Sequence, residues 1–181
     1  MLLMSGEIEY NKQIFPIRQM LNDVLRDVKR TYYQAQEKLP LVANINVDED
    51  ANIEGDEHRL RQAILGLINN AFITDSEGQV SLKAYLDAEA KQVCIQIQDS
   101  CHVSSEDDYT YFFEPSWMSK LESGKWRQMQ WQSYLAHHFV DAHDGEISVG
   151  RTEPTVEPVG TVVEIRLPLA DSVTPSADEE K

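Results

Sequence analysis

The chain has 181 residues, of which 41% are hydrophobic and 26% charged, with a formal net charge of −15 at neutral pH. That length suits one domain with a sizeable core, and the composition is that of an ordinary soluble globular protein. The acidic excess argues against non-specific nucleic-acid binding and against anionic membrane surfaces. Cys94 and Cys101 form no C-x-x-C pair, so free thiols in a reducing cytoplasm are expected. Met1 to Met4 is too short and uncharged for a signal peptide. No run approaches the roughly 20 apolar residues of a membrane span.

Residues 7 to 15 read as a short strand ending at Pro16. Ile17, Met20, Leu21, Val24, Leu25 and Val28 then step by three and four, which predicts a core-facing helix over 17–38 that stops before Pro40. Residues 41 to 47 and 52 to 54 read as strands around a polar turn at Asp48-Glu49-Asp50. A helix over 56–73 follows, with Asp56 as its N-cap and Leu60, Ile64, Leu67, Ile68 and Ala71 on one face. Val80, Leu82, Ala84 and Leu86 alternate, as do Val93, Ile95 and Ile97, with residues 87 to 91 between them as a hairpin connection. Residues 100 to 128 have no sustained period and suggest a mobile lid. A helix is expected over 129–143, with Trp131, Leu135, Phe139 and Ala142 sharing a face and Asp144-Gly145 ending it. Residues 146 to 150 and 161 to 167 read as strands, and residues 170 to 181 as a disordered acidic tail. The order predicts an α+β fold: a two-layer α/β sandwich, a mixed sheet of about five strands with three helices on one face, forming one domain over 1–169.

The stretch from 55 to 75 organises the rest. Asn69 and Asn70 interrupt its apolar pattern although Asn is a poor helix-interior residue. An amide oxygen is a hard neutral ligand that Mg²⁺ accepts beside phosphate oxygens, while two Asn residues also serve to cap or fray a helix end. Asp56, Arg59, Leu60, Gln62, Asn70 and Ala71 together resemble the N box of the histidine-kinase ATPase domain in the GHKL superfamily. The resemblance places Asn70 at the Mg²⁺-binding position. Gly66 stands where sensor kinases usually carry another Asn and ATP-hydrolysing relatives a catalytic Glu. Ile73 replaces a common Lys that faces the phosphates.

The other boxes of the family follow in order. Asp99 ends the strand over 93–98 in phase with its inward residues and matches the carboxylate that accepts the adenine amino group. The two glycines expected after it are Cys101 and Val103. Phe112-Phe113-Glu114-Pro115 resembles the aromatic F box that packs the lid. His143-Asp144-Gly145-Glu146-Ile147 sets the register of the last helix, and counting back puts Gln128, Gln130 and Gln132 where the family has three glycines. Those glycines leave room for phosphates at a helix N-terminus, and here Gln, Trp131 and Gln fill it. His137, His138 and His143 lack the i, i+4 spacing of a metal site and sit in no phospho-acceptor context.

The resemblance spans about residues 7 to 168 and implies a role in two-component-type signal transduction. The lost glycines imply a degenerate ATPase-like domain acting as a regulatory or protein-docking module, with weak or no ATP binding and no cofactor of its own. Asn70 and Asp99 are then vestigial Mg²⁺ and adenine positions. The alternative is a divergent working kinase domain that binds Mg²⁺–ATP through them and phosphorylates a His or Ser on a partner chain. In both cases a response regulator or a sensor kinase is the implied protein partner. If this chain is the whole protein, no dimerising acceptor helix pair precedes the domain and autophosphorylation in cis has no expected substrate.

Overall fold

The computed structural model describes residues 9–34, 41–74, 79–100, 112–114, 124–152 and 160–170. The elements run β1 (Gln13–Pro16), α1 (Ile17–Gln34), β2 (Leu41–Asn46), β3 (Asn52–Gly55), α2 (Glu57–Thr74), β4 (Val80–Asp87), β5 (Gln92–Asp99), α3 (Gly124–Asp141), β6 (Glu146–Arg151) and β7 (Thr161–Pro168). Five strands form one sheet in the order β2-β4-β5-β7-β6, and β1 and β3 form a separate antiparallel ribbon. β2 runs parallel to β4, and the other neighbours are antiparallel, so the sheet is mixed as expected.

Alternation decides which sheet face is covered. Leu82, Ile97 and Val163 are cross-strand partners, as are Ala84, Ile95 and Ile165. All six are buried in one core with the α1 stripe from Ile17 to Val28 and the α2 face from Leu60 to Phe72. A Leu or Ile side chain taken fully out of water contributes about 1.5–3 kcal/mol, so these three elements carry most of the stabilisation. The opposite face is mostly polar, with Val42 and Val162 among its few apolar residues. Cys94 is fully buried there, beside Tyr85, Glu164 and Arg166, and burial raises its thiol pKa above the ordinary value.

Helix ends follow local chemistry. The Asp56 carboxylate accepts the Arg59 N–H at 3.1 Å, and its carbonyl accepts the Leu60 N–H at 3.0 Å, which is N-cap geometry. At the C-terminus of α3, beside that N-cap, Asp144 has φ 55°, the Gly145 N–H reaches the Val140 carbonyl at 3.1 Å and the Asp144 N–H reaches the Asp141 carbonyl at 3.1 Å. That pair of bonds is a Schellman stop, with Asp instead of Gly in the left-handed position.

Three expectations are corrected. Residues 9 to 12 are not strand, and β1 begins at Gln13. Their groups are committed elsewhere: the Asn11 N–H goes to the Asp56 carboxylate at 3.0 Å, and the Tyr10 ring packs against Phe139 and His143. α3 starts at Gly124, so its first turn takes in residues assigned to the lid. Lys, Arg, Gln and Met there are good helix formers, and propensity outweighs the missing period. The buried side of α3 holds Ser133, Ala136, Phe139 and Val140, with His143 just past its end; Phe139 is there as expected and Leu135 packs against the core, but Trp131 is 38% exposed. Of the expected lid, 101–111 and 115–123 lie outside the described residues, as do the ends of the first and last expected segments.

Candidate functional site: the seam between α2 and α3

α2 and α3 pack side by side and run in opposite directions, so the start of one lies against the end of the other. Two sets of contacts pin them, one at each end.

At the first end, His143 is 2% exposed. Its Nε2 accepts the Asp56 backbone N–H at 2.8 Å, and its Nδ1 faces the Phe139 carbonyl at 2.5 Å. A backbone N–H can only donate and a carbonyl can only accept, so both contacts are satisfied by one species: neutral imidazole with the proton on Nδ1. Burial lowers the His143 pKa below its ordinary value, against the opposing pull of the Phe139 carbonyl. Gly55 makes the approach possible, because a Cβ there would stand 2.6 Å from His143 Cδ2. The Tyr10 ring meets the imidazole edge-on at 5.4 Å, and Arg59 lies over the Phe139 ring at 5.5 Å.

At the second end lies the region of the N box. Asn70 is 4% exposed, and its Nδ2 donates to Ser133 Oγ at 3.0 Å. One turn earlier, a Cβ on Gly66 would meet Gln132 Cβ at 3.3 Å and Gln132 Cγ at 3.5 Å. The Gln132 side chain therefore lies across the space that a side chain at 66 would enter. Trp131 does not enter this seam. It turns outward and packs on Tyr134 at 5.7 Å, so it is Gln132 and Ser133 that face α2 here.

Asp99 sits at the end of β5, 8% exposed, and its Oδ1 accepts the Thr161 N–H at 3.4 Å. Thr161 begins β7 next to Gly160, whose N–H donates to Thr152 Oγ1 at 2.8 Å while its carbonyl accepts the Thr152 N–H at 2.9 Å. Ser133, Thr152, Gly160 and Thr161 are site residues that no sequence motif marks, apart from the signal of a Gly-Thr pair opening a strand. Phe112 and Phe113 pack edge to face at 5.0 Å, and Phe113 lies against His137 at 5.4 Å, so the F-box aromatics anchor on α3. Cys101 and Val103 fall outside the described residues, as do the side chains of Gln128 and Gln130.

A groove of about 850 Å³ runs along the solvent side of α2, with Arg59, Gln62, Asn69, Gln132 and Leu135 among its walls. Neither Asn70 nor Asp99 lines it. No helix among the described residues is long and apolar enough to cross a membrane.

These features have known counterparts. Residues 55–171 match the family described as histidine kinase-, DNA gyrase B- and HSP90-like ATPase, and the chain belongs to that family. It is 27% identical over 147 residues to the autoinducer 2 sensor kinase/phosphatase LuxQ of Vibrio cholerae. The match takes in 78% of this chain but only 16% of that relative's length. The fold resembles the mycobacterial sensor histidine kinase MprB, with a TM-score of 0.67 at 20% identity, covering 87% of this chain and 97% of that one. It also resembles full-length ShkA in complex with AMPPNP, with a TM-score of 0.69 at 20% identity, covering 94% of this chain and 34% of that one. The α+β sandwich with its five-stranded mixed sheet and three helices is the fold of these kinase domains.

Proposed function

We propose that this chain is a histidine-kinase-type ATPase domain with its nucleotide site closed, serving as a regulatory or protein-docking module of two-component signalling. The observation that carries the reading is the second end of the seam: Gln132 lies over Gly66 while the Ser133 hydroxyl holds the Asn70 amide. The glycines of the family's last box keep room for phosphates at the start of this helix. Here two departures from the family answer each other. Removal of the side chain at 66 makes a space, and the glutamine that replaces a glycine at 132 takes it. The remaining residues do not fit Mg²⁺–ATP. A metal at Asn70 needs phosphate oxygens beside it, and Gln132 lies on that side of α2.

One observation favours the alternative, a working kinase domain that binds Mg²⁺–ATP and phosphorylates a partner's His or Ser. Asn70 and Asp99 both keep their family positions, and both are buried at one end of the sandwich. Titration calorimetry with Mg²⁺–ATP and Mg²⁺–ADP separates the two. The closed site binds no better than millimolar, about −4 kcal/mol or weaker. A micromolar isotherm that disappears in Asp99→Asn and Asn70→Asp overturns this reading. The double variant Gly66→Asn/Gln132→Gly should gain affinity over the parent if the seam is what excludes nucleotide. Given a closed site, the partner is another protein, and receiver domains of response regulators and sensor-kinase chains are the first to test. The domain itself extends through Leu169, whose N–H bonds to the Lys91 carbonyl at 2.9 Å. A cytoplasmic setting goes with the signalling role.

A further inference from the structure

The sheet has two edges, and they are built differently. β6 (Glu-Ile-Ser-Val-Gly-Arg) carries a charge at each end and a Gly, and α3 packs beside it. Charges and interruptions of this kind blunt an edge against pairing with another chain. β2 (Leu-Val-Ala-Asn-Ile-Asn) carries no charge, Pro or Gly, and among the described residues it pairs with β4 alone. Val42 is 50% exposed, and Ala43 and Asn44 are exposed beside it. In a chain with 26% charged residues, six uncharged positions on this edge leave the backbone N–H and C=O groups that point away from β4 without a strand partner among the described residues.

We propose that β2 is a pairing edge for a second copy of this chain, joining two sheets into one continuous sheet of ten strands. The strand is complementary to itself. A two-fold axis perpendicular to the sheet reverses strand direction and keeps each face on its own side, so residues pair only with partners of the same face. With the axis at Ala43, Leu41 meets Ile45 on the helix-covered face, and Val42 meets Asn44 on the other. Ala43 faces its own copy, and its small side chain permits close approach. An axis at Asn44 instead sets the large Ile45 against Ala43 and pairs two amides at the centre. The second copy is favoured over a charged or acidic extended segment because β2 offers neither a cation nor an anion for charge pairing. It is favoured over the other edge because β6 would set Glu146 and Arg151 of each copy into the joint. Six residues per copy bury less than the roughly 1,200 Å² of a stable interface, so the dimer is weak. The net charge of −15 on each copy opposes it, so added salt strengthens it.

The test is sedimentation velocity on the chain up to about 1 mM, near the weak end of measurable association, at low and high salt. Ala43→Cys, in a Cys101→Ser background, should form a disulfide dimer on mild oxidation, because residues facing each other across an antiparallel pair have Cα atoms about 4.5–5.5 Å apart. Glu89→Cys, on the exposed β4–β5 turn, should not. Val42→Lys should raise the dimer dissociation constant roughly tenfold or more, with the circular dichroism unchanged because the position is exposed. A chain that stays monomeric at all concentrations and salts, or a Glu89→Cys dimer that forms as fast as the Ala43→Cys one, overturns the proposal. So does a dimer that Val42→Lys leaves intact.

Discussion

The two ends of the α2–α3 seam do opposite things with the same pair of helices. At the His143 end, the imidazole and the Asp56 groups are buried and find partners, while the neighbouring Tyr10 hydroxyl is buried with none among the described residues. The Asp56 N–H meets imidazole, the imidazole N–H meets a carbonyl, and the Asp56 carboxylate takes two backbone donors. At the Gln132 end, the Asn70–Ser133 hydrogen bond and the Gly66–Gln132 contact lie between the helices, and the Gln132 side-chain oxygen is buried with no partner among the described residues. The first end keeps the family's residues, while at the second Asn70 is kept and positions 66 and 132 depart from the family. If the nucleotide site is closed as proposed, the joint that fixes the helix layer is kept while Gln132 takes the space beside Gly66. The joint and the proposed closure occupy different turns of the same helices.

This contrast predicts a gradient of mutational cost along the seam. The largest effect is expected for His143→Ala, which leaves the Asp56 N–H buried without an acceptor and opens a cavity beside Tyr10 and Phe139. The expected loss is about 3 kcal/mol, read as a lower urea midpoint at unchanged slope. A loss below about 1 kcal/mol would mean that α2 and α3 are held by their apolar faces alone. Gly55→Ala comes next. Its Cβ would meet His143 Cδ2 at 2.6 Å and Leu60 Cδ1 at 3.0 Å, so about 1–3 kcal/mol should be lost to overpacking.

The pH dependence tests the same joint without a cavity. Burial lowers the His143 pKa, so the folded chain takes up a proton less readily than the unfolded one. Its contribution is intact above the ordinary histidine value of about 6.5 and drains away as the pH falls towards the lowered value. Denaturation midpoints measured from neutral to mildly acidic pH should show this decline. His143→Gln should flatten it, since an amide does not titrate.

At the altered end the effects are small. Ser133→Ala removes the partner of the Asn70 amide and should cost about 1 kcal/mol. Gly66→Ala should come out within about half a kcal/mol of the parent, because helix propensity gains up to about 1 kcal/mol while crowding against Gln132 takes it back. If Gly66→Ala were as damaging as Gly55→Ala, the two ends would be equally tight and the contrast would fail.

Periodicity alone makes the helix layer and the strands legible. The faces of α1 and α2, the hairpin at 87–91 and the α3 stop at Asp144-Gly145 follow from local rules that tertiary contacts reinforce. The start of α3 departs from expectation because a glycine box would break the helix near 128, and this chain has no such box. Its buried face departs at Trp131, the largest apolar residue in that region, because serine and alanine at 133 and 136 allow the close approach to α2. In the site, motif positions name Asn70 and Asp99. They do not name the partners, because Ser133 and Thr161 lie 63 and 62 positions away in sequence. The role of His143 is equally hidden: a histidine pinned between a backbone donor and a backbone acceptor has no signature in residue types.

One thiol gives the molecule a built-in clock. Cys94 lies on the middle strand of the five-stranded sheet, with no exposed surface and a pKa raised by burial. A thiol reagent can reach it only when the sheet centre opens, either by β5 parting from a neighbour or by the Tyr85, Glu164 and Arg166 side chains over it swinging aside. Even then only the ionised fraction reacts. In a Cys101→Ser background, its modification rate therefore counts openings of the sheet centre, on the strand that ends at Asp99 and on neither helix of the seam. Comparing that rate with amide exchange in α2 would show whether helix layer and sheet open together or in sequence.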